Sequence, residues 1–255
     1  MRDRAALRLA GELAGVIAAC AVAVALADDR PPLPPDVCSG DGAPAYTALL
    51  ADGELSVAAV IGRLDREPAW NARALADALL ARGFAVEAPG RFARDGVVID
   101  VVEVADDRPA VDAALAVVLD RDVIYYNGHE YRGELRALAA PPHGAHVLVL
   151  DTCWSTQRYS ARLVGAPGLD VVGNTERAVT GSVASFVALL DGLRARHAWG
   201  ALLDAMNASA AERARERVRS PFPRPERYRL DVACGARPRA PEREDRAVAI
   251  PVVAW

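Results

Sequence analysis

Five short runs of apolar residues constrain this chain more than any other feature. They lie at 57–64 (VAAVIGRL), 97–104 (VVIDVVEV), 123–126 (VIYY), 147–150 (VLVL) and 169–172 (LDVV). A strand with one face in water alternates apolar and polar residues. A strand that is apolar throughout is covered on both faces. Helical spacing fills much of the sequence between the runs. The pattern therefore predicts an α/β fold: a three-layer sandwich around a mostly parallel sheet.

The intervening segments carry their own punctuation. Over 71–82, Leu75, Ala78 and Leu79 fall on one helical face and Gly83 stops the helix. A short strand at 84–88 closes at Pro89-Gly90. Asp106 or Asp107 caps a helix with Pro109 in its first turn and Val111, Leu115, Val118 and Leu119 inward. Helices are also expected over 133–140 and 182–196, and helical spacing resumes from Trp199 through Met206 to Ala210. Residues 212–229, with seven Arg and three Glu, read as a solvated helix face.

The two ends differ from this middle. Arg2, Arg4 and Arg8 precede an apolar stretch that ends Ala25-Leu26-Ala27, followed by two Asp. That is the outline of a secretory leader over 1–27, and the apolar run is short for a membrane span. The expected location is therefore exported, periplasmic or secreted, with no span in the mature chain. Ile17-Ala18-Ala19-Cys20 also resembles a lipoprotein box, but the apolar run continues past Cys20. A Pro/Gly-rich linker or extended arm over 28–45, a domain over 46–235 and a tail over 236–255 complete the division. Loss of the leader leaves Cys38, Cys153 and Cys234. An odd count in an exported chain points to one pair and one thiol. The pair expected is Cys38 with Cys234, both in Gly-containing loops near the ends of the mature chain.

Composition excludes several functions. Of 255 residues, 52% are hydrophobic, and 30 basic residues face 34 acidic ones, a net charge of −4. A nucleic-acid binder ordinarily carries a basic excess. No P-loop, no G-x-G-x-x-G and no C-x-x-C is present, so no nucleotide, cofactor or redox pair is expected. His143 and His146 lack a third ligand at metal spacing.

Ligands of open α/β sheets bind beyond the carboxyl ends of the strands. Here VIYY runs into Asn127-Gly128-His129-Glu130, and VLVL runs into Asp151-Thr152-Cys153-Trp154. His129 and Cys153 each lie three positions past an apolar run. If the two strands are parallel neighbours, thiol and imidazole share one rim. That pairing is what nucleophilic acyl transfer requires: the imidazole promotes the thiolate and later protonates the leaving amine. Asn174, Glu176 and Asp151 are the candidates, by position, for a substrate pocket.

A strand ending in Gly-His followed by one ending in Asp-x-Cys resembles the caspase-like cysteine peptidases, the broad group of metacaspases, gingipains, clostripain and legumain. The order of elements from Val57 to about Arg196 is similar to theirs as well, including Asp170-Val-Val-Gly-Asn174 and the helix after it. The resemblance implies a caspase–haemoglobinase fold, a Cys153 nucleophile, a His129 base and a peptide or protein substrate. Gly128 matches the Gly that often precedes the His. Glu130 stands where the family usually has a Gly whose N–H contributes to the oxyanion hole. A positive φ there would strain a non-Gly residue. His129 and Cys153 are 24 residues apart, against about 50 in caspases, so the crossover between the strands is short. The alternative expectation, favoured by Glu130, is a caspase-like domain that binds or regulates without cleaving.

Overall fold

The computed structural model describes residues 37–38, 42–63, 72–105, 107–163, 166, 168–175, 183–216 and 230–233. All fall in the unit that runs from Leu33 to Trp255. The leader, most of the linker and the tail lie outside the described residues.

Nine strands form one sheet: β1 (Val37–Cys38), β2 (Leu55–Arg63), β3 (Ala85–Ala88), β4 (Arg91–Arg94), β5 (Val97–Ala105), β6 (Val123–Asn127), β7 (Val147–Asp151), β8 (Asp170–Asn174) and β9 (Leu230–Ala233). Their order is β1-β9-β8-β7-β6-β2-β5-β4-β3. The central block β8-β7-β6-β2-β5 is parallel throughout. Antiparallel strands extend it on both sides. The five apolar runs are the five parallel strands, and their composition follows from where they sit. Along β2, Val57, Ala59 and Ile61 face one core while Ala58 and Val60 face another. β6, β7 and β8 are buried at every residue.

Helices cover both faces. The first core is closed by α2 (Ala72–Ala81), α5 (Val183–Arg194) and α6 (Trp199–Glu216), after a one-turn α1 (Tyr46–Leu49). The second is closed by α3 (Arg108–Ala116) and α4 (Ser155–Leu163). Of the two candidate caps for α3, Asp107 is the one used: its carboxylate accepts from Ala110 N at 2.9 Å, with Pro in the first turn. None of the described helices is long and apolar enough to cross a membrane.

Several expectations change. No α-helix covers 133–140. Two 3₁₀ turns, Tyr131–Gly133 and Arg136–Leu138, carry the chain there instead. Gly133 is left-handed and Leu135 is extended, with φ −68° and ψ 115°, so a continuous right-handed helix is broken inside this stretch. Residues 91–94 form a strand that the apolar pattern misses, because Arg91 and Arg94 flank a single buried Phe92. Within 28–45, β1 pairs with β9, Val37 opposite Ala233, as an extended arm can.

Candidate active site

β6 and β7 are adjacent, parallel and in register, Val123 opposite Val147 through Asn127 opposite Asp151. His129 and Cys153 therefore leave the sheet at equivalent positions, each two residues past the last pair of the ladder. Neighbouring strands lie about 4.8 Å apart, so both residues emerge on one short stretch of rim. His129 is exposed and Cys153, a thiol, is half-buried.

The Cys side is anchored from below. The Asp151 carboxylate, 1% exposed, accepts from the Tyr125 hydroxyl at 2.5 Å and from Asn174 Nδ2 at 3.0 Å. Its backbone carbonyl accepts from Asn127 Nδ2 at 3.1 Å. A buried carboxylate needs such donors, because desolvation without them costs several kcal/mol, on the order of a whole domain's margin. Tyr125 packs edge-on against Phe186 of α5. The ends of β6, β7 and β8 are thus tied together under the rim.

The chain turns into α4 through Trp154, at a left-handed φ of 47°. Ser155 then stitches two strands: its hydroxyl donates to Leu150 O at 2.5 Å and accepts from Asn174 N at 2.8 Å. Gly173 is required at this crossing. A Cβ there would stand 2.7 Å from Thr156 Oγ1 and 2.8 Å from Thr156 N. Cys153 lies two residues ahead of the first residue of α4, where the helix dipole favours negative charge and hence a thiolate. Thr152 Oγ1, Trp154 Nε1 and Asn174 Oδ1 are buried polar atoms with no hydrogen-bond partner among the described residues.

The His side is tight as well. Gly128 has no room for a side chain: a Cβ would meet Tyr126 Oη at 2.6 Å. The Tyr126 hydroxyl donates to His129 O at 2.8 Å. From α4, the Tyr159 hydroxyl donates to Glu130 O and Arg162 Nη1 donates to Gly133 O at 2.7 Å. Burial, with the negative charge of Glu130 second, pushes the Tyr159 hydroxyl pKa well up, so it stays a donor.

Glu130 departs from expectation. Its φ is −76° and ψ −15°, ordinary right-handed backbone. No strain falls on it; the positive φ values belong to Tyr131 and Arg132, one and two residues later. Of the pocket candidates, Asp151 and Asn174 are buried and hydrogen-bonded to one another, which makes them a support beneath the rim. Glu176 lies outside the described residues, as does Cys234; Cys38 pairs with Val232 in the β1–β9 ladder. His143 is exposed and His146 is half-buried with Nδ1 3.4 Å from Gly168 O. No group of three His, Cys, Asp or Glu among the described residues is placed to hold a metal ion.

Tyr125, Asn127, Ser155, Tyr159 and Arg162 support the site without belonging to any motif of the sequence. The available signal was the run Tyr125-Tyr126-Asn127, three polar-tipped side chains ending a buried strand. Comparison with protein-family models, with curated proteins and with solved structures finds no match for this chain.

Proposed function

We propose that this chain is a cysteine peptidase of the caspase-like kind, acting through Cys153 and His129. One observation carries the reading: the parallel, in-register β6–β7 ladder delivers the imidazole and the thiol to equivalent positions on one rim. The order of elements from β2 to α5, with Gly-His after one strand and Asp-x-Cys after the next, supports the same fold assignment. The position of Cys153 ahead of α4 supports its role as the nucleophile.

The chemistry is acyl transfer. The Cys153 thiolate adds to a peptide carbonyl, and the carbonyl oxygen takes the displaced electron pair. As the tetrahedral adduct collapses, the C–N bond breaks and His129 gives its proton to the departing amine. Water, deprotonated by His129, then attacks the thioester; the C–S bond breaks, the acid leaves, and the Cys153 thiolate is restored beside the protonated His129. No cofactor is needed. The buried Asp151 supports the rim and takes no direct part.

A second reading is a domain that binds peptide without cleaving it. Glu130 favours it, since a carboxylate stands beside the His where a developing oxyanion must be tolerated. Digestion of a mixed peptide pool, read by mass spectrometry, separates the two. Discrete cleavage by the wild type that vanishes in Cys153→Ala and His129→Ala supports the peptidase. Intact peptides with all three proteins, together with retention of peptide on immobilised wild type, support the binding domain.

A further inference from the structure

The turn after β6 runs against ordinary backbone preference. Tyr131 and Arg132 have φ of 45° and 52°, and Gly133 follows at 76°. Two successive non-glycine residues in the left-handed region persist only where the surroundings hold them, and such outliers cluster at working sites. Two backbone bonds, Gly133 N–H to Glu130 O at 3.1 Å and Glu134 N–H to Tyr131 O at 3.0 Å, close the turn, and three side-chain hydrogen bonds fix it to its surroundings. Tyr126 takes the carbonyl of His129, Tyr159 takes that of Glu130, and Arg162 takes that of Gly133. Gly133 itself packs so closely on α4 that a Cβ would stand 2.9 Å from Arg158 O.

These bonds have a geometric consequence. In a planar trans peptide the C=O and the following N–H point in opposite directions. With the His129 carbonyl held on the Tyr126 hydroxyl, the Glu130 N–H faces away from it. With the Glu130 carbonyl held on Tyr159, the Tyr131 N–H faces away from α4. Right-handed backbone at Glu130 followed by positive φ at Tyr131 is the combination that turns successive N–H groups toward one point and forms an anion-binding concavity.

We propose that Tyr159 is a positioning residue, acting together with Tyr126, and that the two hydroxyls orient the Glu130 and Tyr131 N–H groups as donors to the oxyanion formed when Cys153 adds to a carbonyl. The inference rests on the thiol-nucleophile reading of Cys153 and adds to it the means by which the turn serves a non-glycine residue after the His. The hydroxyls touch no substrate. They act through the two peptide planes, and Tyr159 does so from the helix that follows the nucleophile. Coupling the turn to α4 fixes the donors relative to Cys153.

The test uses a reaction that needs an oxyanion site but no turnover. A peptide aldehyde adds reversibly to a thiol: the S–C bond forms, the C=O π bond opens, and the oxygen keeps the electron pair or takes the proton held by His129. N-acetyl-Leu-Leu-arginal and N-acetyl-Leu-Leu-aspartal are used to protect Cys153 from iodoacetamide, whose displacement of iodide builds no oxyanion. Tyr159→Phe keeps the buried ring and removes the hydroxyl. In it we expect aldehyde affinity about tenfold weaker or more, and kcat on any cleaved peptide about 10–100-fold lower with KM nearly unchanged. Alkylation of unprotected Cys153 should stay within about twofold of wild type. Tyr126→Phe should give the same pattern by the other hydroxyl, and serves alone if Tyr159→Phe does not fold. Tyrosine-dependent aldehyde binding by a wild type that cleaves no peptide sustains this inference and removes the peptidase reading. Aldehyde affinity unchanged in the folded variants, no aldehyde binding by wild type, or a parallel fall in alkylation overturns it.

Discussion

Replacing Ser155 by Ala isolates one device that builds the rim. The hydroxyl serves two buried backbone groups, donating to Leu150 O and accepting from Asn174 N. The carbonyl of Leu150 has a second lone pair, so its loss is a net hydrogen bond, about 0.5–1.5 kcal/mol. The Asn174 N–H has no such reserve. It lies in a strand buried at every residue, and leaving it without a partner costs about 1–3 kcal/mol. The sum is about 1.5–4.5 kcal/mol, which for a domain of this size lowers Tm by about 3–18 °C. Urea unfolding followed by tryptophan fluorescence should give a lower midpoint at an unchanged slope, because the surface exposed on unfolding is the same. A loss below about 0.5 kcal/mol, the range of ordinary surface substitutions, would refute the account of this crossing.

Three further outcomes follow from the same geometry. Gly173→Ala should cost about 1–3 kcal/mol by overpacking, since the new Cβ would meet the Thr156 backbone N at 2.8 Å; thermal melting checks it, and restoration by Thr156→Ala would be incomplete because backbone as well as side chain is struck. Burial pushes the Tyr46 hydroxyl up to about 12, with Arg196 opposing. Above the unfolded value of 10.0 the unfolded chain then loses its proton first, so this contribution is complete below pH 10 and is lost as pH rises to 12; melting scans should be steeper in that window for wild type than for Tyr46→Phe. Glu130→Gln should leave peptide turnover equal or higher, by removing a negative charge near the oxyanion without loosening the backbone; a fall in kcat would give the carboxylate a positive role.

Much of the fold was legible because burial on two faces writes itself into sequence. The runs at 57–64, 97–104, 123–126 and 147–150 read as central strands, and the Val, Ile and Leu of β2, β6 and β7 lie in two separate cores. The adjacency of β6 and β7, on which the proposed dyad depends, is a condition that the short connection permits without fixing, and the ladder meets it. α4 was not legible. Its sequence STQRYSARL offers Tyr159 and Leu163 to the core and little else that is apolar; it is held by hydrogen bonds to strand ends and to the His turn, which no periodicity records. The 3₁₀ turns imitate a helix in sequence because Leu135 and Leu138 are buried at helical spacing, while the left-handed conformations of Tyr131 and Arg132 have no signature in residue type. A positive φ at Glu130 would strain it; the positive φ values fall on Tyr131 and Arg132 instead.

The central claim is that His129 and Cys153 work as a pair. Its most direct test is the second-order rate of iodoacetamide alkylation at Cys153, read by peptide mapping across pH 5–9 in wild type and in His129→Ala. A working pair predicts rapid, site-selective labelling in wild type and a fall of about tenfold or more at neutral pH in the variant, where an imidazolium partner no longer favours the thiolate. Equal rates in the two folded proteins, at every pH, would contradict it.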